Sequence, residues 1–226
     1  MRHNPKNHIS MKKIIIGLLL ILSGSVYAQD LSSPYYGFRL GLTAHPTIGW
    51  VKPQIGKSDG VSVGFSYGLL ADFNFTQNYS FATGLTITTI NGKTKEARTI
   101  ATDPPAQTEL ALKYKLQYIE IPLTLKLKTV KIDNTRWYGQ FGLSNNFKIR
   151  ERQDVEGRVE SNDNLTSDIK FYRSGLIIGA GAEFDVKGNM SVTTGLTFNN
   201  GFTHITDDKN NRIRNHYIGI NFGVFF

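Results

Sequence analysis

The sequence predicts an all-β protein, an eight-stranded antiparallel up-and-down transmembrane β-barrel with short periplasmic turns and long extracellular loops. Three observations predict this fold class. A hairpin with alternating side chains occurs twice, long and short connections alternate along the chain, and the polar face of the strands consists mainly of small residues. Together these features are typical of barrels that cross an outer membrane.

The repeated hairpin spans residues 68–87 and recurs at residues 179–198. Nine of the twenty aligned positions are identical at a constant offset of 111, and Asp72 is matched by Glu183. Side chains alternate between an apolar and a polar face, which is the period that a strand imposes. The strands run to about ten residues, the length that a tilted strand needs to cross a bilayer core. Each copy therefore predicts an antiparallel hairpin, which either crosses a membrane or belongs to a soluble β-sandwich with one face in its core.

Eight strands are predicted, and their connections are sorted by length. Four long polar loops alternate with three short turns. Every second connection of an up-and-down barrel emerges at the same end, so the long loops are expected to share one end. The predicted strands are 36–48, the first hairpin, 110–127, 137–149, the second hairpin and 217–226. The predicted long loops are 52–60, 91–109, 150–170 and 201–212.

The fourth predicted strand has an irregular pattern. Its apolar residues occupy even positions up to Tyr118 and odd positions from Ile119 onwards. A β-bulge near Tyr118 is expected to keep the apolar residues on one face. The preceding loop contains Asp103-Pro104-Pro105, which a β-ladder does not accommodate.

The first residues predict a secretory signal peptide. Met11-Lys12-Lys13 precede a short apolar run, and Val26-Tyr27-Ala28 supply the small residues of a cleavage site. We therefore expect a signal peptide at 1–28, with Met11 as an alternative start, and a barrel domain at 29–226. Loss of the signal removes four cations and no acid, which lowers the formal charge from +8 to +4. That charge predicts no nucleic-acid partner. The chain has no cysteine, which excludes disulfides and thiolate chemistry.

The polar face is expected to fill the lumen, because eight strands enclose little more than side chains. Buried charges persist only when they are paired, so we expect a layer of mixed charge that acts as a plug and not as a channel. The residues of this predicted layer are Arg39, Asp72, Glu120, Lys126, Gln140, Glu183 and Asn221. In the competing interpretation, some of them reach periplasmic water.

Large aromatic residues lie at the apolar edges near the short-turn end and predict an aromatic girdle at the membrane interface. These residues are Tyr36, Phe75, Tyr79, Trp137 and Phe226. Ordinary aromatic enrichment in strands is the competing explanation. Phe226 also matches the carboxyl-terminal signal that the outer-membrane assembly machinery reads.

No catalytic residue, metal site or cofactor is predicted. His45 and His216 lie near the long-loop end, but they have opposite strand parity and cannot share one proton. Together with Asp207 and Asp208 they lack the tight spacing of a metal site. The protein is therefore expected not to be an enzyme.

Cations in and beside the second long loop suggest an anionic partner. They are Lys93, Lys95, Arg98, Lys113 and Lys115. They could contact the phosphates of lipopolysaccharide, or they could form a solvated face. The expected partners are outer-membrane lipid, lipopolysaccharide at the loops, the assembly machinery and an unidentified protein.

One segment of the fourth predicted strand is Leu116-Gln117-Tyr118-Ile119-Glu120-Ile121-Pro122-Leu123. It resembles the Tyr-hydrophobic-Glu-Ile-Pro segment in the fourth strand of PorT-like outer-membrane β-barrel proteins of Gram-negative bacteria. Tyr36-Gly37-Phe38-Arg39-Leu40-Gly41 and Thr83-Gly84-Leu85 are similar to segments of the same family. The resemblance implies a barrel in the cell outer membrane, with a structural or interaction role at its external loops. It supplies no catalytic motif.

Two alternatives remain open at this point. A secreted lipocalin-like carrier also has eight strands, but it turns its apolar face inward around a small molecule. Strand parity alone does not distinguish inside from outside. The second alternative is an accessory role in protein secretion across the outer membrane. The resemblance implies it because the member that gives the family its name is needed for secretion through the type IX system.

Overall fold

The computed structural model describes residues 37–54, 56–100, 106–155, 169–187, 190–206 and 212–226, with the backbone alone at 96–100, 106–112, 153–155 and 187. The predicted signal peptide, Tyr36, Asp103-Pro104-Pro105, Asp207 and Asp208 lie outside the described residues.

Eight long strands form a closed antiparallel barrel. They are β1 (Gly37–Pro53), β2 (Ser62–Asn74), β3 (Tyr79–Ile100), β4 (Ala106–Lys128), β5 (Thr135–Val155), β6 (Tyr172–Lys187), β7 (Met190–Gly201) and β8 (Ile213–Phe225). Each strand pairs with its neighbours in sequence, and β1 pairs with β8 to close the barrel. A two-residue strand, Lys57–Ser58, is added to the outer part of β3. The predicted fold class is confirmed. Among the described residues, no helix is long and apolar enough to cross a membrane.

The two faces of the barrel wall differ in the way that alternation predicts. Large apolar side chains are exposed on the outside, as at Phe38, Leu85 and Phe222, whereas serine, threonine and charged side chains are buried inside. A carrier of apolar molecules would need the opposite arrangement. The structure therefore excludes the lipocalin-like alternative and leaves an apolar outer surface that suits lipid.

The strands beside two predicted loops are longer than expected. β3 and β4 pair as far as Ile100 and Ala106, so most of the predicted loop 91–109 is a hairpin. Its connection, residues 101–105, is no longer than the short turn at residues 129–134. β5 likewise continues to Val155. The prediction was wrong here because a polar segment beyond the membrane still gains by pairing its backbone groups, although no apolar face marks it as a strand.

The expected bulge lies on a different strand. β4 keeps one alternation throughout its described side chains, with Tyr114, Leu116 and Tyr118 facing inward. The register shift occurs in β5, where Ile149 is the extra residue opposite Gln117 and Tyr118. The apolar pattern changes phase because these three inward residues belong to an apolar cluster in the lumen. The predicted bulge in the fourth strand is therefore wrong.

That cluster, here called the apolar cap, fills the lumen towards the long-loop end. It contains Val51, Ile90, Tyr114, Leu116, Tyr118, Ile205, Ile213 and Tyr217, with Ile169 packed against it. Two of these residues come from connections that fold back over the barrel. Lys170 donates its backbone N–H to the carbonyl of Ile205 at 2.7 Å, and a β-bridge joins Ile169 to Thr206.

Candidate functional site

The internal repeat places two acids at equivalent positions of the lumen wall. Asp72 lies near the end of β2 and Glu183 near the end of β6, and both are almost fully buried. Arg39, near the start of β1, donates to both: its Nη1 lies 2.6 Å from Glu183 Oε1, and its Nη2 lies 3.1 Å from Asp72 Oδ2. One guanidinium therefore connects the two copies of the hairpin.

Two lysines of β4 complete this group. Lys126 and Lys128 share the inward face because they are two residues apart on a strand. Lys126 Nζ lies 3.1 Å from Asp72 and 3.5 Å from Glu183, and Lys128 Nζ lies 3.7 Å and 3.9 Å from the same carboxylates. We call Arg39, Asp72, Lys126, Lys128 and Glu183 the ion layer. It combines three cations with two anions near the short-turn end.

Aromatic rings close the space around these charges. Phe225 is buried beneath the Arg39 guanidinium, at 4.8 Å from the ring centre, and Lys126 Nζ lies 4.5 Å from the ring centre of Tyr138. Such cation–π contacts stabilise cations without another anion, which suits a layer with an excess positive charge. Gly181 makes room for Tyr138, because a Cβ there would lie 2.6 Å from the phenol oxygen.

A second polar group surrounds Glu120, further towards the long-loop end. Tyr217 Oη donates to both carboxylate oxygens, at 2.8 and 2.9 Å, and Asn199 Nδ2 donates to Oε1 at 3.2 Å. In the amide orientation that satisfies its neighbours, Asn146 donates to Oε2 at 3.1 Å. Neutral donors on three other strands therefore solvate this buried carboxylate.

Arg173 supplies the matching charge without touching Glu120 in any described hydrogen bond. Its Nη2 donates to Asn199 Oδ1 at 2.9 Å and to the carbonyl of Asn215 at 3.0 Å, and its Nε donates to the side chain of Asn215. Its Nη1 lies 3.0 Å from the reoriented Asn146 oxygen. We call Glu120, Asn146, Arg173, Asn199, Asn215 and Tyr217 the upper polar layer. Tyr217 belongs to both groups, because it packs in the apolar cap and its hydroxyl contacts Glu120.

The structure brings four of the seven predicted layer residues into contact. These are Arg39, Asp72, Lys126 and Glu183. Glu120 belongs to the upper polar layer. Gln140 and Asn221 both donate to Thr197 Oγ1, the former at 3.3 Å, and so form a separate neutral group.

Lys128 and Arg173 were not among the predicted lumen residues. Lys128 lies one residue beyond the predicted end of its strand, yet it has the same parity as Lys126. Arg173 likewise has the same parity as Glu183 on β6. Strand parity could therefore have placed both residues in the lumen.

A cavity of about 110 Å³ separates the two layers. Its lining includes Thr43, His45, Thr86, Thr197 and Asn221, with Asp72 and Lys126 towards one end and Glu120 and Tyr217 towards the other. The lining combines hydroxyl and amide groups with apolar side chains such as Leu70, Ile177 and Phe225. The two layers are thus distinct structures along the lumen.

The two histidines lie on opposite faces of the wall. The Nδ1 of His45 lies 3.1 Å from Thr43 Oγ1 in the lumen. His216 stacks on Trp50, with ring centres 5.7 Å apart, and Trp50 also stacks on the outward-facing Phe198. A wall of backbone therefore separates the histidines. No group of three or more potential metal-binding side chains occurs within the described ranges.

Four of the predicted girdle residues are exposed near the short-turn end. They are Phe75, Tyr79, Trp137 and Phe226. Phe75 and Tyr79 stack with ring centres 6.3 Å apart across the turn that joins β2 to β3. The backbone N–H of Phe226 donates to the carbonyl of Leu40 at 2.9 Å. The girdle role of these residues stays a prediction.

The family model for the outer membrane protein beta-barrel domain matches residues 27–207. The chain belongs to this outer-membrane β-barrel family. No curated protein sequence matches it significantly. It is an outer-membrane protein. The ion layer lies towards the short-turn end of its barrel, and the apolar cap lies towards the long-loop end.

Solved structures similar to this outer-membrane barrel have low sequence identity. The crystal structure of Neisserial surface protein A is 17% identical, with 84% of this chain and 96% of that chain covered and a TM-score of 0.46. OprG from Pseudomonas aeruginosa is 14% identical, with 87% and 99% covered and a TM-score of 0.46. Ail of Yersinia pestis is 12% identical, with 83% and 99% covered and a TM-score of 0.32.

Proposed function

We propose that the protein is a non-enzymatic outer-membrane barrel that is closed to ions and solutes and acts through its external surface. The observation that carries this proposal is the succession of two buried polar layers and an apolar cap along one lumen. A transport pathway would have to pass all three.

The ion layer opposes passage because its charges are already neutralised by direct contacts. A permeating ion would have to separate Arg39 from Glu183 or Lys126 from Asp72 without bulk water to solvate the separated charges. Leaving a buried charge without its partner costs about 3–5 kcal/mol. The layer is therefore a plug in this proposal.

The apolar cap adds a barrier of a different kind. Val51, Ile90 and Leu116 are buried in it, and Ile205 is supplied by a connection outside the barrel wall. Apolar constrictions exclude ions by excluding the water that accompanies them. A solute that passed the polar layers would still meet this apolar constriction.

Within the family, we assign the chain to the PorT-like type. The segment from Tyr118 to Pro122 supports this assignment, and its glutamate is the centre of the upper polar layer. With the lumen closed, the remaining accessible surfaces are the strand extensions and long connections outside the membrane. A protein partner would bind there.

Ion efflux from proteoliposomes tests the closed state. The folded barrel, identified by a mobility difference between boiled and unboiled samples on a gel, is reconstituted in potassium-loaded vesicles. We expect efflux no faster than from protein-free vesicles, whereas a general porin in the same vesicles releases the load. Efflux that rises in proportion to the amount of folded barrel would overturn the proposal.

A further inference from the structure

The outer wall carries a group of cations immediately above its apolar band, on β3, β4 and β5. Lys93, Lys113, Lys115, Arg150 and Arg152 form this group, here called the basic patch. Lys93, Lys113 and Lys115 have the parity of outward-facing apolar residues on the same strands, such as Ile87 and Ile119. Lys93 lies on a barrel strand and not in the predicted loop 91–109, whereas Lys113 and Lys115 lie on the strand that was predicted for them.

The bulge at Ile149 turns the two arginines outward. Below the bulge, even-numbered residues of β5 such as Ser144 and Asn146 are buried in the lumen. Above it, Arg150 is opposite Gln117 and Arg152 is opposite Lys115, so both arginines share the outer face with these residues. A bulge is a common device for redirecting side chains. Without the extra residue, both arginines would point into the barrel.

Like charges lie directly opposite one another in the basic patch. Lys93 is opposite Lys113 across β3 and β4, and Lys115 is opposite Arg152 across β4 and β5. On its other side, Lys113 is opposite Asp154 of β5. Directly opposed like charges destabilise a sheet. Two cations side by side on neighbouring strands attract an anion, so Lys115 and Arg152 together favour an anionic ligand.

The height of the basic patch matches the interface of the outer leaflet. Along β4, the outward residues from Leu127 to Ile119 are apolar, and Gln117 and Lys115 follow. With roughly 3.3 Å per residue and a strand tilt near 40°, Lys115 lies about 10 Å above Ile119. We place the lipid headgroups at that level because the outward apolar residues of β4 end at Ile119. A cation here meets lipid phosphates before it meets bulk water.

A groove in the basic patch has the donors that a phosphate group needs. It has a volume of about 190 Å³ and is lined by Thr89, Lys115, Leu116, Gln117, Arg150 and Arg152. Arginine forks and lysine ammonium groups are the usual phosphate ligands in proteins. The neighbouring hydroxyl and amide groups can donate to the remaining oxygens.

A similar arrangement occurs across the barrel, where β1 meets β8. Lys52 is opposite Arg214, and both line a groove of about 290 Å³ with Arg212 and His204. Partial burial and the nearby Arg214, Arg212 and Lys170 lower the pKa of His204. The charge of this second groove therefore comes mainly from Lys52, Arg212 and Arg214.

We propose that the basic patch binds the phosphate groups of a phosphorylated glycolipid in the outer leaflet, with the acyl chains along the apolar wall below. The proposal does not depend on the closed lumen, because all of its residues face outward. The groove between β1 and β8 provides a second, independent position for the same chemistry.

The probe is a bis-phosphorylated lipid A in mixed detergent micelles, with binding to the folded barrel counted by native mass spectrometry. We expect the same glycolipid without its phosphates to bind on the order of 100-fold more weakly, since each cation near a membrane surface contributes about a fivefold effect. Equal binding of the two glycolipids would overturn the proposal. This comparison uses the unmodified protein and needs no variant.

The combined variant Lys115→Gln, Arg150→Gln and Arg152→Gln tests the location. These side chains lie outside the buried layers, so the gel mobility of the folded barrel should be retained. The groove between β1 and β8 stays intact, so we expect one bound phosphorylated glycolipid fewer per barrel, with affinity at the basic patch weakened on the order of 100-fold. The matched control Lys131→Gln removes a cation at the short-turn end and should leave binding unchanged. Unchanged binding in the triple variant contradicts the proposal.

Inorganic pyrophosphate distinguishes a lipid from a free anion. Lipid binding combines phosphate contacts with burial of acyl chains against the wall, so millimolar pyrophosphate should displace little glycolipid. Displacement at equal phosphate concentration would show a site for free phosphate and would overturn the assignment to lipid.

Discussion

The ion layer and the upper polar layer bury charge in different ways. The ion layer joins cations and carboxylates by direct contacts of 2.6 to 3.9 Å. The upper polar layer connects Glu120 to Arg173 through the amides of Asn146 and Asn199. When a carboxylate that contacts cations directly is neutralised, those cations lose their partner and remain buried. When a carboxylate that is solvated by neutral donors is neutralised, only its hydrogen bonds become weaker. Loss of an acid should therefore cost more in the ion layer.

The largest effect is expected for Glu183→Gln. The substitution removes the anion closest to Arg39 and leaves three cations facing one carboxylate. We expect the free energy of unfolding to fall by about 3–5 kcal/mol. Urea titration of the barrel in lipid vesicles, followed by the gel mobility of the folded form, measures this change.

Asp185→Asn is the matched control for that substitution. Asp185 lies on the same strand and pairs with Lys131 at 2.6 Å, but both side chains are partly exposed. Exposed pairs contribute about 1 kcal/mol or less. If Asp185→Asn lowers the free energy of unfolding as much as Glu183→Gln does, burial in the ion layer does not increase the contribution of an ion pair to stability.

Strand alternation and the internal repeat were sufficient to predict much of the ion layer. Asp72 and Glu183 occupy equivalent positions of the repeat, and Arg39 and Lys126 follow from parity and their distance from the short turns. Lys128 was missed because the predicted strand ended at Leu127. The sequence predicted the parity of these residues, but it could not predict which charges touch.

The upper part of the lumen was less predictable for a physical reason. Ile169 and Ile205 reach the apolar cap from polar connections, where an isolated isoleucine has no periodic signal. The outward position of Arg150 and Arg152 depends on the bulge at Ile149, and alternation cannot locate a bulge when both faces are polar. Contacts between distant segments decide these features.

Arg173→Lys should have the next largest effect. Lysine keeps the charge of the upper polar layer but cannot reproduce a planar fork that donates to Asn199 and Asn215 together. We expect a loss of about 2 kcal/mol in the same urea titration. Arg212→Lys, at an exposed position outside the barrel, should change nothing. Equal stability of the Arg173 variant and the unmodified protein would mean that charge alone holds this layer.

Glu120→Gln is the direct counterpart of Glu183→Gln, because it neutralises the buried carboxylate of the upper polar layer. The amide keeps one oxygen for the hydroxyl of Tyr217, and the substitution leaves no cation in direct contact without its partner. We expect a loss of about 1 to 2 kcal/mol, smaller than the loss for Glu183→Gln. If the two substitutions lower the free energy of unfolding equally, the distinction between direct ion pairing and solvation by amides is wrong.

The smallest effect is expected for Thr197→Val, which removes the hydroxyl that accepts from Gln140 and Asn221. Both amides border the cavity between the layers, where water can replace the lost acceptor. We expect a loss of about 1 kcal/mol or less. A loss as large as that of Glu183→Gln would show that the neutral group supports the ion layer.

Single-channel recording in planar bilayers tests the closed lumen most directly. We expect no unitary current steps from the unmodified barrel or from a variant with serine at Arg39, Asp72, Lys126, Lys128 and Glu183, because the upper polar layer and the apolar cap remain. Adding serine at Glu120 and Arg173 and glycine at Leu116 and Ile205 should produce steps. Stable unitary steps from the unmodified, folded barrel would contradict the account.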